Sequence, residues 1–101
     1  MRSDFLRWSA EKLNDESAKS ACPSWEVQEG KLKRAFPFEN FESGLAFVNK
    51  IAALSNAANH HPDVLLQYKS VTFSLFTHDK ESLTQADVEL AQRIDSRFER
   101  L

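Results

Sequence analysis

Val64-Leu65-Leu66-Gln67-Tyr68, then Lys69-Ser70, then Val71-Thr72-Phe73-Ser74-Leu75-Phe76-Thr77 is the stretch that decides the fold. In its second half Val71, Phe73 and Leu75 alternate with Thr72, Ser74 and Phe76. That period of two marks a strand with one face turned to a core and the other away from it. The short apolar run from Val64 to Tyr68 reads as its partner strand, with Lys69-Ser70 as the turn. Continuing the alternation places His78 on the same side as Thr72, Ser74 and Phe76.

The same grammar recurs upstream. From Lys31 to Phe38, Leu32, Phe36 and Phe38 share parity with Arg34, while Lys31 and Lys33 take the other side. Glu29-Gly30 supplies a tight turn back to a strand over Trp25–Gln28. Between the two hairpins, Asn40 caps a helix running to about Ser55. Its apolar positions are Phe41, Leu45, Val48, Ile51 and Ala52, widened by Phe47 and Leu54. Asn56 to Pro62 reads as a connecting loop or ragged last turn, since Pro62 biases His61 away from the α region. A first helix is expected from a Ser9 cap to about Ala21, stopped by Pro23. A last one opens at Thr84, with Asp87 completing a capping box and Val88, Ala91, Ile94 and Phe98 forming its stripe. The order α-β-β-α-β-β-α predicts an α+β fold: a four-stranded antiparallel sheet with helices on one face. Its open edges suit pairing with a second copy.

The chain of 101 residues is read as one domain, 1–101, with residues 1–8 as a loose leader. A net charge of −2 argues against nucleic-acid binding through the phosphate backbone. The cations Lys31, Lys33, Arg34, Arg93, Arg97 and Arg100 sit among acids and read as solvated surface. Cys22 is the single cysteine, so no disulfide framework forms and a reducing compartment is expected. Met1-Arg2-Ser3-Asp4-Phe5 lacks the apolar run of a signal peptide, and no stretch is long enough to span a bilayer. The expectation is a cytoplasmic protein that uses no membrane. Gly30 and Gly44 are the only glycines, which excludes a phosphate-cradling loop. Cys22 beside Pro23 shows no sign of activation, and no serine sits in a nucleophile elbow.

All three histidines fall in one region, as His60-His61-Pro62 and His78, with Asp87 beyond. Imidazole titrates near neutrality, so convergent histidines suit proton transfer or metal binding. Three imidazoles and Asp87 are zinc-like donors, but adjacent histidines in an extended loop point apart, so no metal is expected. Each residue also has a plainer role. His60 and His61 suit a polar loop held by Pro62, His78 an exposed strand end, Asp87 a helix cap, and Tyr68 packing at a strand end.

Across most of its length the chain resembles the pterin-4a-carbinolamine dehydratases, also known as dimerisation cofactors of a homeodomain factor. The resemblance runs from Ser9-Ala10-Glu11 and Trp25 through Phe36-Pro37-Phe38, Phe41 and Ala46-Phe47 to about Asp95. Its specific part is His60-His61-Pro62-Asp63, Tyr68, Val71, Thr77-His78-Asp79, Leu83-Thr84 and Asp87-Val88-Glu89-Leu90-Ala91. Two positions depart from the family pattern. Asn56 stands where the family carries an acid, four residues before the first histidine, and Ser82 stands where it usually carries glycine.

The resemblance implies dehydration of a 4a-hydroxytetrahydropterin with no cofactor beyond the pterin itself. His60 and His78 would be the acid/base pair, His61 would hold and orient the pterin, and Asp87 would support the site electrostatically. Asn59, His60, His61, Phe76, Thr77, His78 and Asp79 would contact the substrate, and Asn56 would modulate it. It also implies a homodimer or homotetramer. A second reading, a protein-binding or assembly module with little catalysis, follows from the missing acid at Asn56 and from family members that act through protein partners.

Overall fold

A computed structural model describes residues 11–101. The leader at 1–8 and the Ser9 cap lie outside the described residues. Within them the order is α1 (Asp15–Ala21), β1 (Glu26–Gln28), β2 (Lys31–Pro37), α2 (Phe41–Ala58), β3 (Asp63–Gln67), β4 (Ser70–Leu75), a 3-10 turn (His78–Lys80) and α3 (Gln85–Glu99). The strands form one antiparallel sheet in the order β1-β2-β4-β3. This is the expected α+β architecture.

The alternation of the two hairpins becomes the core. Leu32 and Phe36 of β2 and Val71, Phe73 and Leu75 of β4 are buried under Phe47, Ile51 and Leu54 of α2 and Val88, Leu90, Ala91 and Ile94 of α3. Phe36 is the hub, its ring centroid 4.8 Å from that of Phe98 and 5.6 Å from that of Phe47. Trp25 and Phe73 meet it edge-on, a geometry favoured by the ring quadrupoles. Arg34 shares this face without disrupting it. Its guanidinium lies 4.3 Å from the Phe36 centroid, and Nη1 donates to Asp95 Oδ1 of α3 at 2.7 Å.

The structure corrects four local expectations. First, α1 begins at Asp15, because Asn14 Oδ1 accepts from the Ser17 N–H at 2.8 Å and is the better-placed cap. Glu11 to Leu13 instead runs extended beside Leu83–Gln85, with the Leu13 N–H donating to the Leu83 carbonyl at 2.9 Å. Second, α2 continues past Ser55 to Ala58, since Ala57 and Ala58 are strong helix formers. It ends at Asn59 in the left-handed region at φ 53°, so Asn56 lies on the last helical turn rather than in a loop.

Third, the row of α2 that faces the sheet is Gly44, Phe47, Ile51, Leu54 and Ala58. A Cβ at Gly44 would come within 3.2 Å of Val71 and 3.3 Å of Leu66, so this glycine lets α2 approach the sheet closely without those side chains having to shift. Phe41 and Leu45, on the neighbouring row, remain 44% and 43% exposed. Fourth, the second hairpin turns one residue earlier, at Tyr68-Lys69, with Gln67 opposite Ser70. Tyr68 is 71% exposed, so it is not packed into the strand end, its ring meeting only the Lys69 ammonium at 5.5 Å among the described contacts. Among the described residues, no helix is long and apolar enough to cross a membrane.

Candidate active site

The end of α2 aims the two adjacent histidines. Asn59 takes the left-handed conformation that asparagine tolerates, its N–H donating to the Asn56 carbonyl and the His60 N–H to the Ser55 carbonyl, both at 3.2 Å. The chain then leaves the helix, and Pro62 keeps His61 extended. The two rings go to different supports. His60 Nε2 lies 2.6 Å from Asp87 Oδ1 at the start of α3. His61 Nε2 lies 2.9 Å from Asn56 Oδ1 on the last turn of α2.

Asp87 is fully buried, caps α3 and also reaches His60. Its Oδ2 accepts from the Thr84 N–H at 2.9 Å, which completes the capping box, and from the Thr77 hydroxyl at 2.7 Å. Its Oδ1 is left for His60. Three donors and the positive end of α3 thus compensate a carboxylate removed from water. With Asp87 ionised, and so only an acceptor, His60 Nε2 carries the proton between them and Nδ1 is the nitrogen that Asp87 does not engage. The two histidines are therefore chemically distinct: one is backed by a charge, the other by a neutral amide.

His78 begins the 3-10 turn and is exposed, its ring edge-on to Phe76 with centroids 5.2 Å apart. The turn is closed at its base by an antiparallel bridge in which the Thr77 N–H donates to the Ser82 carbonyl at 3.1 Å. The left-handed residue here is Glu81, at φ 51°, so Ser82 needs no glycine-like freedom.

Asn59, His60, His61, Phe76, Thr77, His78 and Asp79 line one cleft of about 260 Å³. All seven expected substrate contacts are therefore neighbours in space. Asp87 stands behind His60 rather than in the wall, and Asn56 reaches the cleft only through His61. Larger hollows occur beside Phe38 and Phe98, at about 540 Å³, and on the open face of the sheet, at about 430 Å³. Neither gathers a histidine, so chemistry rather than size selects the site.

Among the described residues, no three His, Cys, Asp or Glu side chains converge to hold a metal. Burial pushes the Cys22 thiol up to about 11, with the charges of Asp95 and Glu89 adding to the effect, and its Sγ faces the Val88 carbonyl. It is a structural thiol. Sequence reasoning gave Thr77 a substrate contact but no tie to Asp87. Its side chain shares parity with Phe73 and Leu75, and that alternation already directs the hydroxyl toward the helices.

A family model described as pterin 4 alpha carbinolamine dehydratase matches residues 7–97. A protein of Picosynechococcus sp. that carries the provisional name pterin-4-alpha-carbinolamine dehydratase is 43% identical over 76 residues, covering 75% of this chain and 83% of its own. Among solved structures, a transcriptional coactivator/pterin dehydratase from Brucella melitensis superposes with a TM-score of 0.78 over 85% of this chain and 97% of its own. At 23% identity that likeness speaks for the fold. A pterin dehydratase-like protein identified as a RuBisCO assembly factor in the alpha-carboxysome gives a TM-score of 0.62 at 26% identity, over 72% of this chain and 87% of its own.

Proposed function

The chain belongs to the pterin 4 alpha carbinolamine dehydratase family, and on that premise we propose that it dehydrates a 4a-hydroxytetrahydropterin to the quinonoid dihydropterin. The reaction breaks the C4a–O bond and removes the proton on N5. The N5 electron pair forms the C4a=N5 double bond, and the hydroxyl leaves as water once protonated. Two protons move and no net electrons do, so the chemistry asks for an acid and a base and for no resident cofactor.

The observation that carries the reading is the 2.6 Å contact between His60 and buried Asp87, at the wall of a cleft that also holds His78. In this proposal His60 takes the N5 proton through Nδ1, and Asp87 stabilises the imidazolium that forms. His78, exposed in the same cleft, delivers a proton to the departing hydroxyl. His61, held by Asn56, orients the pterin. The test is dehydration of a freshly generated 4a-hydroxytetrahydropterin against its spontaneous rate. We expect clear acceleration by the wild-type chain and losses of about 10²-fold or more in His60→Ala and His78→Ala with the fold intact. Full activity in both variants removes the pair from the mechanism.

A second reading, as an assembly module, is favoured by a different observation. Phe41 and Leu45 of α2 and Val64, Leu65 and Tyr68 at the β3 edge are all exposed in the single chain. Apolar residues beside an open edge strand fit association with a second copy or another protein. Sedimentation tests the homodimer or homotetramer we propose on this ground. Pterin binding separates an enzyme that oligomerises from a module that has abandoned catalysis. The lone buried thiol fits the cytoplasmic location we propose, which cell fractionation tests.

A further inference from the structure

We infer that the Thr77 hydroxyl is a positioning group for the His60–Asp87 pair, acting through the Asp87 carboxylate without touching substrate. Its contribution to rate rests on the dehydratase reading; its effect on the resting pair does not.

The proton bookkeeping of the network is fully determined. Thr77 Oγ1 donates its single proton to Asp87 Oδ2 at 2.7 Å. Its 2.8 Å contact with Thr84 Oγ1 must therefore be donated by Thr84. Thr84 is fully buried, so its hydroxyl has no water to turn to. The result is a one-way chain, Thr84 hydroxyl to Thr77 hydroxyl to Asp87, ending at the carboxylate that holds His60. Such chains polarise each member along the same direction.

Two features of the backbone keep Thr77 in this role. The residue follows β4 with the parity of Leu75, which turns its side chain toward α3. Its main chain is fastened by the Ser82 bridge and by the Lys80 N–H, which donates to the Thr77 carbonyl at 3.2 Å. The same residue therefore anchors the turn that begins with His78. One residue thus serves the supports of both proposed proton carriers, its hydroxyl reaching Asp87 and its main chain holding the turn.

The direction of its effect follows from sharing. With Thr77 present, Asp87 divides its charge among three donors. Without it, the carboxylate interacts more strongly with His60 and favours the imidazolium. His60 then stays protonated to higher pH, and the free base appears later. The other titratable groups around this imidazole are His61 on its own loop and His78 and Asp79 on the 3-10 turn, all lining the same cleft. None is replaced in the Thr77 variants, and the turn that carries His78 and Asp79 is fastened by main-chain bonds that a side-chain substitution at Thr77 retains.

The test compares Thr77→Val, which keeps the branched shape and removes the hydroxyl, with Thr77→Ser, which keeps the hydroxyl. In Thr77→Val, kcat at neutral pH should fall by up to about tenfold, KM should stay within about twofold, and the acid limb of the kcat profile should move up by about one pH unit. Thr77→Ser should restore all three. In the resting protein, NMR of the His60 ring nitrogens should show the same upward displacement in Thr77→Val and none in Thr77→Ser. Should Thr77→Val fail to fold, Thr77→Ala supplies the hydroxyl-free comparison. A folded hydroxyl-free variant whose His60 signals titrate as in wild type overturns the inference, whatever the enzyme assay gives. A raised KM with an unmoved profile also overturns it, since the hydroxyl would then be touching substrate. If the wild-type chain shows no dehydration but the NMR displacement occurs, the dehydratase reading falls and the positioning role stands.

Discussion

Replacing Asp87 with Asn changes charge and donor pattern at the centre of the site while leaving its shape nearly unchanged. In the wild type, Oδ2 accepts from Thr84 and Thr77 while Oδ1 faces His60 Nε2 at 2.6 Å. In Asp87→Asn the amide oxygen keeps the first position, so the NH₂ group faces His60. Two donors cannot share that contact, and the imidazole must move its proton to Nδ1. The nitrogen proposed to take the substrate proton is then already occupied. The imidazolium also loses its counter-charge, worth about 4 kcal/mol for unit charges about 4 Å apart at an effective dielectric of about 20. The His60 side chain is 16% exposed, which admits some screening. We therefore expect kcat to fall by about 10²- to 10³-fold.

Stability should change far less. Asp87→Asn loses a favourable charge at the start of α3 but also removes a carboxylate from a fully buried position, for a net loss of about 1 kcal/mol. Stopped-flow dehydration and thermal unfolding measure the two effects separately. Adding His60→Ala to Asp87→Asn should lower the rate little further, because the pair acts as a unit. A folded Asp87→Asn with kcat within about threefold of wild type would refute the claim that the carboxylate sets the state of His60.

Three further outcomes are expected. Asn56→Glu places a carboxylate near His61 Nε2, and because His61 is exposed and water screens the pair, the dehydration rate should change by no more than about fivefold; activity appearing only in Asn56→Glu would instead mean that the wild-type chain has left catalysis. The Cys22 thiol is raised from 9.0 to about 11 in the fold, so the folded state holds its proton where the unfolded chain has released it. Its contribution is complete below pH 9 and lost as pH rises through 11, on the order of 1 kcal/mol being gone by pH 10. Denaturant unfolding at pH 7 and pH 10 should show that extra loss in wild type and not in Cys22→Ala. Asp95→Ala orphans the buried indole N–H of Trp25 and the guanidinium of Arg34, which both donate to Asp95 Oδ1, and should destabilise by about 2–4 kcal/mol with kcat unchanged; a loss below about 1 kcal/mol would show that water replaces the carboxylate.

Strand alternation carried most of the fold. Val71, Phe73 and Leu75 named the buried face of β4 correctly even though the hairpin turn was placed one residue late, because parity belongs to residues and not to strand ends. Helices were less legible. On α2, Phe41, Leu45, Val48 and Ala52 form an apolar row as regular as the one that is buried. The buried row is the one that includes Gly44, whose close approach to Val71 and Leu66 is a tertiary fact that helical spacing does not carry. The start of α1 was missed for a related reason: Ser9 and Asn14 both suit a cap, and the pairing of Glu11–Leu13 with Leu83–Gln85 depends on residues some seventy positions away.

At the site, the family resemblance was what collected the cleft and separated the expected roles of His60 and His61, whereas residue types and spacing alone do not distinguish the two rings. Both precede Pro62, both are imidazoles, and nothing local says which is supported by charge. That difference arises because α2 ends at Asn59 and α3 begins at Thr84, which brings Asp87 to one ring and leaves Asn56 to the other. The carboxylate is also the group that α3 uses to start, through the Thr84 N–H. Folding the first turn of α3 and fixing the tautomer of His60 are thus one event. A variant that loosens that turn should lose proton transfer before it loses the fold, whereas a change at Asn56 should alter how the pterin sits without disarming the base. The chemistry is concentrated where the sheet hands the chain to its last helix, and the histidine tied to that junction is the one the proposed mechanism needs.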